Sequence, residues 1–397
     1  MARRADIKFH HISPAQYQGA GTNYPIQTPT GVLYQVLIDN GTDTVFIKST
    51  DGGLTWSAAT VVYTGTVNNL SVWYDRWSGI PAGLIHCAYT QTSSHDTFYR
   101  TINTESSDAL STETTIFAGT SAASPGGHIS IARARGGNVY CKTCIDAGVE
   151  GGFFRLPNAN VPNGAWDAAK TIDEALATTD QMILLPSWNA DTQDMMAFFW
   201  DASADEISRK LYDDSANSWA ETSISTGMVD NVPGNAFPHF AATVDLTNSR
   251  NILVAWNGID TANADLLGWI VTESAITAFT TPVVLNGTDD QGLCAIGLDT
   301  VTGWWLVVYA GKSDGSETWP TAFNFYCKVS KDTGATWGPE TKMSTAIYVQ
   351  TRWLATIPRF TGGFKYVTMD DTSLAVYYTG RINIDVVQPR ARAIVMI

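Results

Sequence analysis

Short apolar runs and polar clusters alternate along the whole chain, and no long stretch keeps a helical rhythm. The runs are rich in Val, Ile, Tyr, Phe and Trp, with Gly, Asn, Asp, Ser and Thr between them. That is the pattern of many short β-strands. Seven strong runs end on a turn residue: VLYQVLID at Asp39, LIHCAYT at Thr90, VYCKTCID at Asp146, MMAFFWD at Asp201, ILVAWNG at Gly258, WWLVVYAG at Gly311 and FKYVTMD at Asp370. The steps are 51, 56, 55, 57, 53 and 59, so seven units span nearly all 397 residues.

Each unit has room for a four-stranded meander; in the second, the strands read LSVWYDRW, GLIHCAYTQ, DTFYRTINT and TETTIFAG. A four-stranded repeat of about 50 residues is a propeller blade. The pattern predicts an all-β fold, a seven-bladed β-propeller of four-stranded antiparallel blades, with six blades as the alternative. Residues 1–383 form one domain. The last unit lacks a clear outer strand, and DIKFHHIS, residues 6–13, is left over at the start. An N-terminal strand is therefore expected to close the ring and cover its open sheet edge. Residues 384–397 are expected to be a C-terminal extension, docked on the ring or contacting another chain.

A second motif keeps the same phase. KSTDGGLTW supplies Ser49, Asp51, Gly53, Thr55 and Trp56; VSKDTGATW supplies Ser330, Asp332, Gly334, Thr336 and Trp337. Between them, Trp166, Trp219 and Phe279 keep the step, Leu110 matches poorly, and Asp214 precedes Trp219 by the same five residues as in the full copies. Ser-x-Asp-x-Gly-x-Thr-Trp resembles the Asp box, or BNR repeat, of the sialidase-like propellers. The resemblance implies that these residues are structural and lie on the outer rim, away from the ligand end. Asp and Ser would bond turn amides, Gly would take a conformation closed to other residues, and Trp would fill the gap between sheets.

Propeller ligands bind where the innermost strands begin. Those starts are expected near Tyr24, Asn69, His128, Gln181, His239, Gln291 and Arg352, with Asp180, Asp230, Asp289 and Asp290 on the same loops. The set could hold a sugar through hydrogen bonds and ring stacking. Sialidase chemistry, as the resemblance implies, needs three arginines, a Tyr–Glu pair and an acidic Asp. The family's early arginine signature is absent from DIKFHHISPAQYQGAGTNYP. A lyase or glycosidase could draw on His128, His239, Tyr24, Arg352, Asp180 and Asp230. A non-catalytic recognition propeller is the principal reading, with a glycan-cleaving enzyme as the alternative. The short boxes and Thr/Ser/Asn-rich loops are similar in type to phage virion propellers, which implies a virion or tail-surface component binding glycan or neighbouring subunits.

Composition narrows the partners. Net charge is −14, which disfavours nucleic acid and anionic membranes. No apolar run approaches the roughly 20 residues of a membrane span, so no membrane insertion is expected. MARRADIKFHHIS lacks the apolar stretch of a secretory signal, so synthesis in a cytoplasm is expected. The five cysteines, at 87, 141, 144, 294 and 327, suit neither a disulfide framework nor a zinc site. No cofactor and no metal are expected.

Overall fold

In the computed structural model the described residues are 7–11, 22–39, 43–74, 83–119, 129–143, 152–171, 180–201, 203–228, 240–256, 266–284, 292–314, 316–317, 323–344, 351–361, 364–370 and 375–382; for 7–11, 68, 292, 351–353 and 364–382 the backbone alone is described. The chain is an all-β propeller of antiparallel meanders, with a single short 3-10 turn at Asn158–Asn160 among the described residues.

The first sheet is Ile26–Gln27, Leu33–Ile38, Thr44–Ser49 and Thr60–Tyr63. The second is Val67–Tyr74, Leu84–Gln91, Thr97–Asn103 and Thr114–Phe117, with Ala109–Leu110 also beside Thr97–Asn103. The third is Ser130–Arg133, Val139–Lys142 and Phe153–Leu156. The fourth is Gln181–Pro186, Met195–Asp201, Glu206–Asp213 and Ser218–Thr226. The fifth is Phe240–Asp245, Arg250–Trp256, Leu266–Val271 and Ile276–Ala278. The sixth is Gly292–Asp299, Trp305–Ala310, Phe325–Ser330 and Thr341–Lys342, with Arg359–Phe360 added parallel to its first strand. The last holds Thr351–Thr356, Phe364–Asp370 and Ala375–Ile382, and Ile7–His11 pairs antiparallel with Ala375–Ile382 at its edge.

The expectation of seven four-stranded blades is corrected to its alternative: among the described residues, six sheets reach four strands. Among the described residues the third holds three strands, and its last, Phe153–Leu156, runs into LPNANVPNGAW. Pro157 and Pro162 have no N–H for a ladder. The chain returns along that strand through two isolated bonds, Asp167 N to Arg155 O at 2.8 Å and Lys170 N to Phe153 O at 2.6 Å. The C-terminal extension 384–397 and Cys144 lie outside the described residues.

Each sheet is sandwiched between neighbours, which explains the sequence pattern. Second strands such as Met195–Asp201 and Trp305–Ala310 are buried on both faces and so read as unbroken apolar runs. Outer strands such as Ser218–Thr226 are largely exposed. The core is the set of apolar layers between sheets, where Trp200, Trp305, Tyr89, Tyr140 and Tyr309 are fully buried. Each large side chain so buried contributes roughly 1.5–3 kcal/mol.

The two full boxes fold as expected. Asp51 Oδ1 accepts the amides of Leu54 and Thr55, both at 2.9 Å, while Oδ2 accepts the Thr55 hydroxyl at 2.7 Å. Ser49 Oγ accepts the Gly53 amide at 2.8 Å. Asp332 repeats this with Thr336, and Ser330 Oγ accepts the Gly334 amide at 2.8 Å. Three tryptophans fasten their sheets to the one before. Trp337 Nε1 donates to Thr281 O at 3.2 Å, Trp219 Nε1 to Thr171 O at 2.8 Å and Trp166 Nε1 to Thr114 Oγ1 at 3.3 Å.

The partial box differs. Asp213, not Asp214, caps its turn, accepting Ser215 Oγ at 2.7 Å and the Ala216 amide at 2.8 Å. Asp214 instead takes Arg155 Nη1 of the third sheet at 2.8 Å. The insertion that moves the cap one residue earlier frees Asp214 to join two sheets. Cations on third strands act similarly elsewhere. Arg100 and Lys328, at matching register positions, donate to Val62 O and Val283 O of the preceding sheets.

Candidate functional site

Antiparallel meanders put the turn after the first strand and the turn after the third at one end of the ring. The boxes occupy that end. All inner strands begin at the other, the mouth end. Side-chain hydroxyls stitch the inner strands in sequence: Ser71 Oγ takes the Ile131 amide and Ser130 Oγ the Leu184 amide, both at 3.0 Å. Thr356 Oγ1 donates to Ile296 O at 2.9 Å and Thr243 Oγ1 to Pro358 O at 3.0 Å.

The residues expected at the mouth divide into three groups. His128, His239, Gln291, Asp230, Asp289 and Asp290 lie outside the described residues, although in sequence His239 and Gln291 directly precede the strands Phe240–Asp245 and Gly292–Asp299. Arg352 is placed by its backbone in Thr351–Thr356. Asn69, Asp180 and Gln181 are described and buried. Both amide atoms of Asn69 lack a hydrogen-bond partner, although the residue is 0% exposed. An unsatisfied amide that deep is costly and marks polar capacity held at the start of Val67–Tyr74.

Tyr24 is not a rim residue. It lines an axial cavity with about 580 Å³ of empty space, open solvent included. The wall is mostly aliphatic, with Ile26, Val72, Ile131, Leu184 and Val244 among its residues, and Arg359 is its one cationic side chain among the described residues. The Tyr24 phenol bonds to the backbone of Tyr74, the last residue of its strand and so at the box end. Burial raises the Tyr24 pKa, the Arg359 charge partly opposing it. In sequence Arg359 is simply the arginine of IPRF; its place beside the cavity depends on pairing that local sequence does not show. Cys294 is also buried, its thiol reaching Val254 O at 3.7 Å in the layer between the fifth and sixth sheets and pushed up to about 12 by desolvation.

Two Tyr–Glu pairs among the described residues, Tyr89–Glu113 and Tyr309–Glu340, are structural. Tyr89 Oη donates to Glu113 Oε2 at 2.5 Å, and Tyr309 Oη to Glu340 Oε2 at 2.6 Å. The two occupy the same register: Tyr89 pairs with Phe98, which pairs with Thr115, as Tyr309 pairs with Tyr326, which pairs with Lys342. Burial first, then the bond to glutamate, raises both phenol pKa values, so both stay protonated and are disfavoured as nucleophiles. A device repeated in two sheets braces outer strand to second strand. Among the described residues no group of three or more His, Cys, Asp or Glu could hold a metal, and no helix is long and apolar enough to cross a membrane.

No protein-family model matches the chain, and no curated protein does. Solved structures do. An ulvan lyase of a polysaccharide lyase family is similar at a TM-score of 0.55 and 9% identity, covering 95% of this chain and 96% of its own. An ulvan lyase structure bound to -[GlcA(1-4)Rha3S]- matches at 0.54 with the same identity and coverage. A sialidase from Streptococcus pneumoniae is similar at 0.47 and 9% identity, over 96% of this chain and 70% of its own. At such identities the likeness is one of fold, and the fold is the β-propeller.

Proposed function

We propose that the protein cleaves a polysaccharide at the mouth end of the ring axis, which makes the enzymatic alternative the better reading. The observation that carries it is the common direction of the inner strands. One end of the ring receives the start of Val67–Tyr74 with Asn69, of Gln181–Pro186 with Asp180, and of Thr351–Thr356 with Arg352. Chain continuity adds His128, His239 and Asp230 as the acid–base candidates. The two ulvan lyase structures, alike in fold over 95% of this chain, support a glycan as substrate. Tyr89–Glu113 and Tyr309–Glu340, spent on bracing, are not offered to sialidase chemistry.

A second reading is glycan recognition without cleavage. The aliphatic character of the axial wall favours it, because such a wall can exclude water without supplying an acid or base. Placement in a virion has no support in the fold or in the similar structures.

Product analysis separates these readings. Purified protein is incubated with acidic and neutral polysaccharides, ulvan among them, in water enriched in oxygen-18. Elimination leaves a carbon–carbon double bond and takes up no solvent oxygen. Hydrolysis places the heavy isotope at the cut. Retention of intact glycan on the protein supports recognition alone.

A further inference from the structure

Two buried side-chain amides, Asn23 and Gln35, meet at one carbonyl of the first sheet. Asn23 Nδ2 donates to Val36 O at 3.2 Å, and Gln35 Nε2 donates to the same oxygen at 2.8 Å. The shared carbonyl settles both amide orientations, because only a nitrogen can donate to it. Each side chain therefore turns its oxygen elsewhere. Asn23 Oδ1 and Gln35 Oε1 both lack a hydrogen-bond partner, although both residues are 0% exposed. Buried acceptors left unpaired are costly. Ser71, on the neighbouring inner strand, is satisfied instead: its Oγ donates to Thr22 O at 3.1 Å and takes the Ile131 amide at 3.0 Å.

Asn23 lines a second cavity, with about 320 Å³ of empty space, open solvent included. It shares Tyr24, Ala242 and Pro358 with the axial cavity. On the fifth sheet its wall is Ala241 and Ala242, whereas the axial cavity takes Ala242, Thr243 and Val244. Phe240–Asp245 begins at the mouth, so the second cavity lies nearer that end. Ala295, Ile296, Leu354 and Ala355 add aliphatic walls, and no charged side chain lines it among the described residues. The unpaired acceptor selects the occupant. A carbonyl oxygen repels a carboxylate, and a buried cation would lack a counter-charge there. A hydroxyl is neutral and donates. Aliphatic walls with one acceptor suit the C–H surface and a hydroxyl of a sugar.

We propose that Asn23 Oδ1 accepts a hydroxyl from a neutral sugar unit of the glycan, in a subsite behind the mouth that disfavours uronates. Asn23 is then a specificity-determining residue, and Gln35 acts on it through the shared Val36 carbonyl. The inference rests on the reading that the ligand is a glycan, and it does not require that the glycan be cleaved.

The test is calorimetric binding of methyl hexosides of the gluco, galacto and manno series to the full chain, each against the uronate of the same series. At least one hexoside should bind saturably, with its uronate about tenfold weaker or more. Asn23→Leu should weaken the hexoside about tenfold or more, the scale of a lost hydrogen bond whose donor is left unpaired. Without sugar, Asn23→Leu should melt no lower than native protein, because it removes an unpaired acceptor while Val36 O keeps Gln35 Nε2. A merely structural amide would instead lower Tm and leave hexoside affinity unchanged, and that result overturns the proposal. No hexoside binding to native protein, or uronates bound as tightly as hexosides, also overturns it. Should Asn23→Leu fail to fold, Asn23→Ala takes its place with the same expected loss of affinity. Hexoside binding by a protein that shortens no glycan sinks the cleavage reading alone. Shortening of a glycan by a protein that does not prefer hexosides sinks this proposal alone.

Discussion

Gly334 answers two demands at once. Its φ is 85°, and a Cβ there would lie 2.9 Å from Trp305 and 3.0 Å from Phe279. Gly334→Ala should therefore cost about 1–3 kcal/mol in chemical denaturation, the usual range for backbone strain of this kind. The Thr336 hydroxyl and amide hold the Asp332 carboxyl below the usual carboxylate range, and the Thr55 hydroxyl and amide do the same for Asp51. A depressed folded pKa adds stability above the unfolded carboxyl pKa, near 3.9, and loses it as pH falls toward the folded value. Melting curves of native protein should thus fall in Tm below about pH 4 more steeply than those of Asp332→Asn, whose side chain does not titrate. Much of this was legible, because a box is a local hydrogen-bond circuit within a few residues. Spacing alone misassigned the partial copy, since Asp213 and Asp214 are neighbours and only their partners, Ala216 and Arg155, tell capping from cross-sheet pairing.

Strands were read best where both faces are buried. The runs ending at Asp201 and Gly311 kept the period because neighbouring sheets cover their strands on each side. Outer strands carry a weaker signal, and the third sheet shows three described strands where four were expected, prolines interrupting the segment beside Phe153–Leu156. The Tyr–Glu braces belong to this scale as well. Tyr309→Phe removes a buried donor from Glu340, which retains the Ser313 amide at 2.9 Å. It should cost about 1–2 kcal/mol in denaturation, the order of one hydrogen bond to a charged group. Any glycan cleavage should remain at the native rate, measured as product released per mole of folded protein. A loss of turnover without loss of stability would return these pairs to the active site.

The whole ring depends on contacts between the two ends of the chain. Ile7–His11 covers the edge of Ala375–Ile382, and Gln27 meets Thr361 across 334 positions of sequence. Removing residues 1–11 exposes a strand edge, so the truncated protein should melt lower and associate at concentrations where the native chain does not, as light scattering would show. Periodicity made the ring legible, but not what lies on its axis. Arg359 and Tyr24 are brought together only by closure, and no spacing rule joins positions that far apart. Cleavage is proposed for the mouth end, while the hydrogen-bond circuits of the box end are structural. The most direct test is the rate of polysaccharide shortening by native protein, His239→Ala and Glu340→Gln on one panel of acidic glycans. Native protein and Glu340→Gln should shorten at least one glycan at similar rates, while His239→Ala should be slower by about 100-fold or more, the scale of a lost general acid or base. Folded native protein that shortens none of them, or His239→Ala at the native rate, would contradict it.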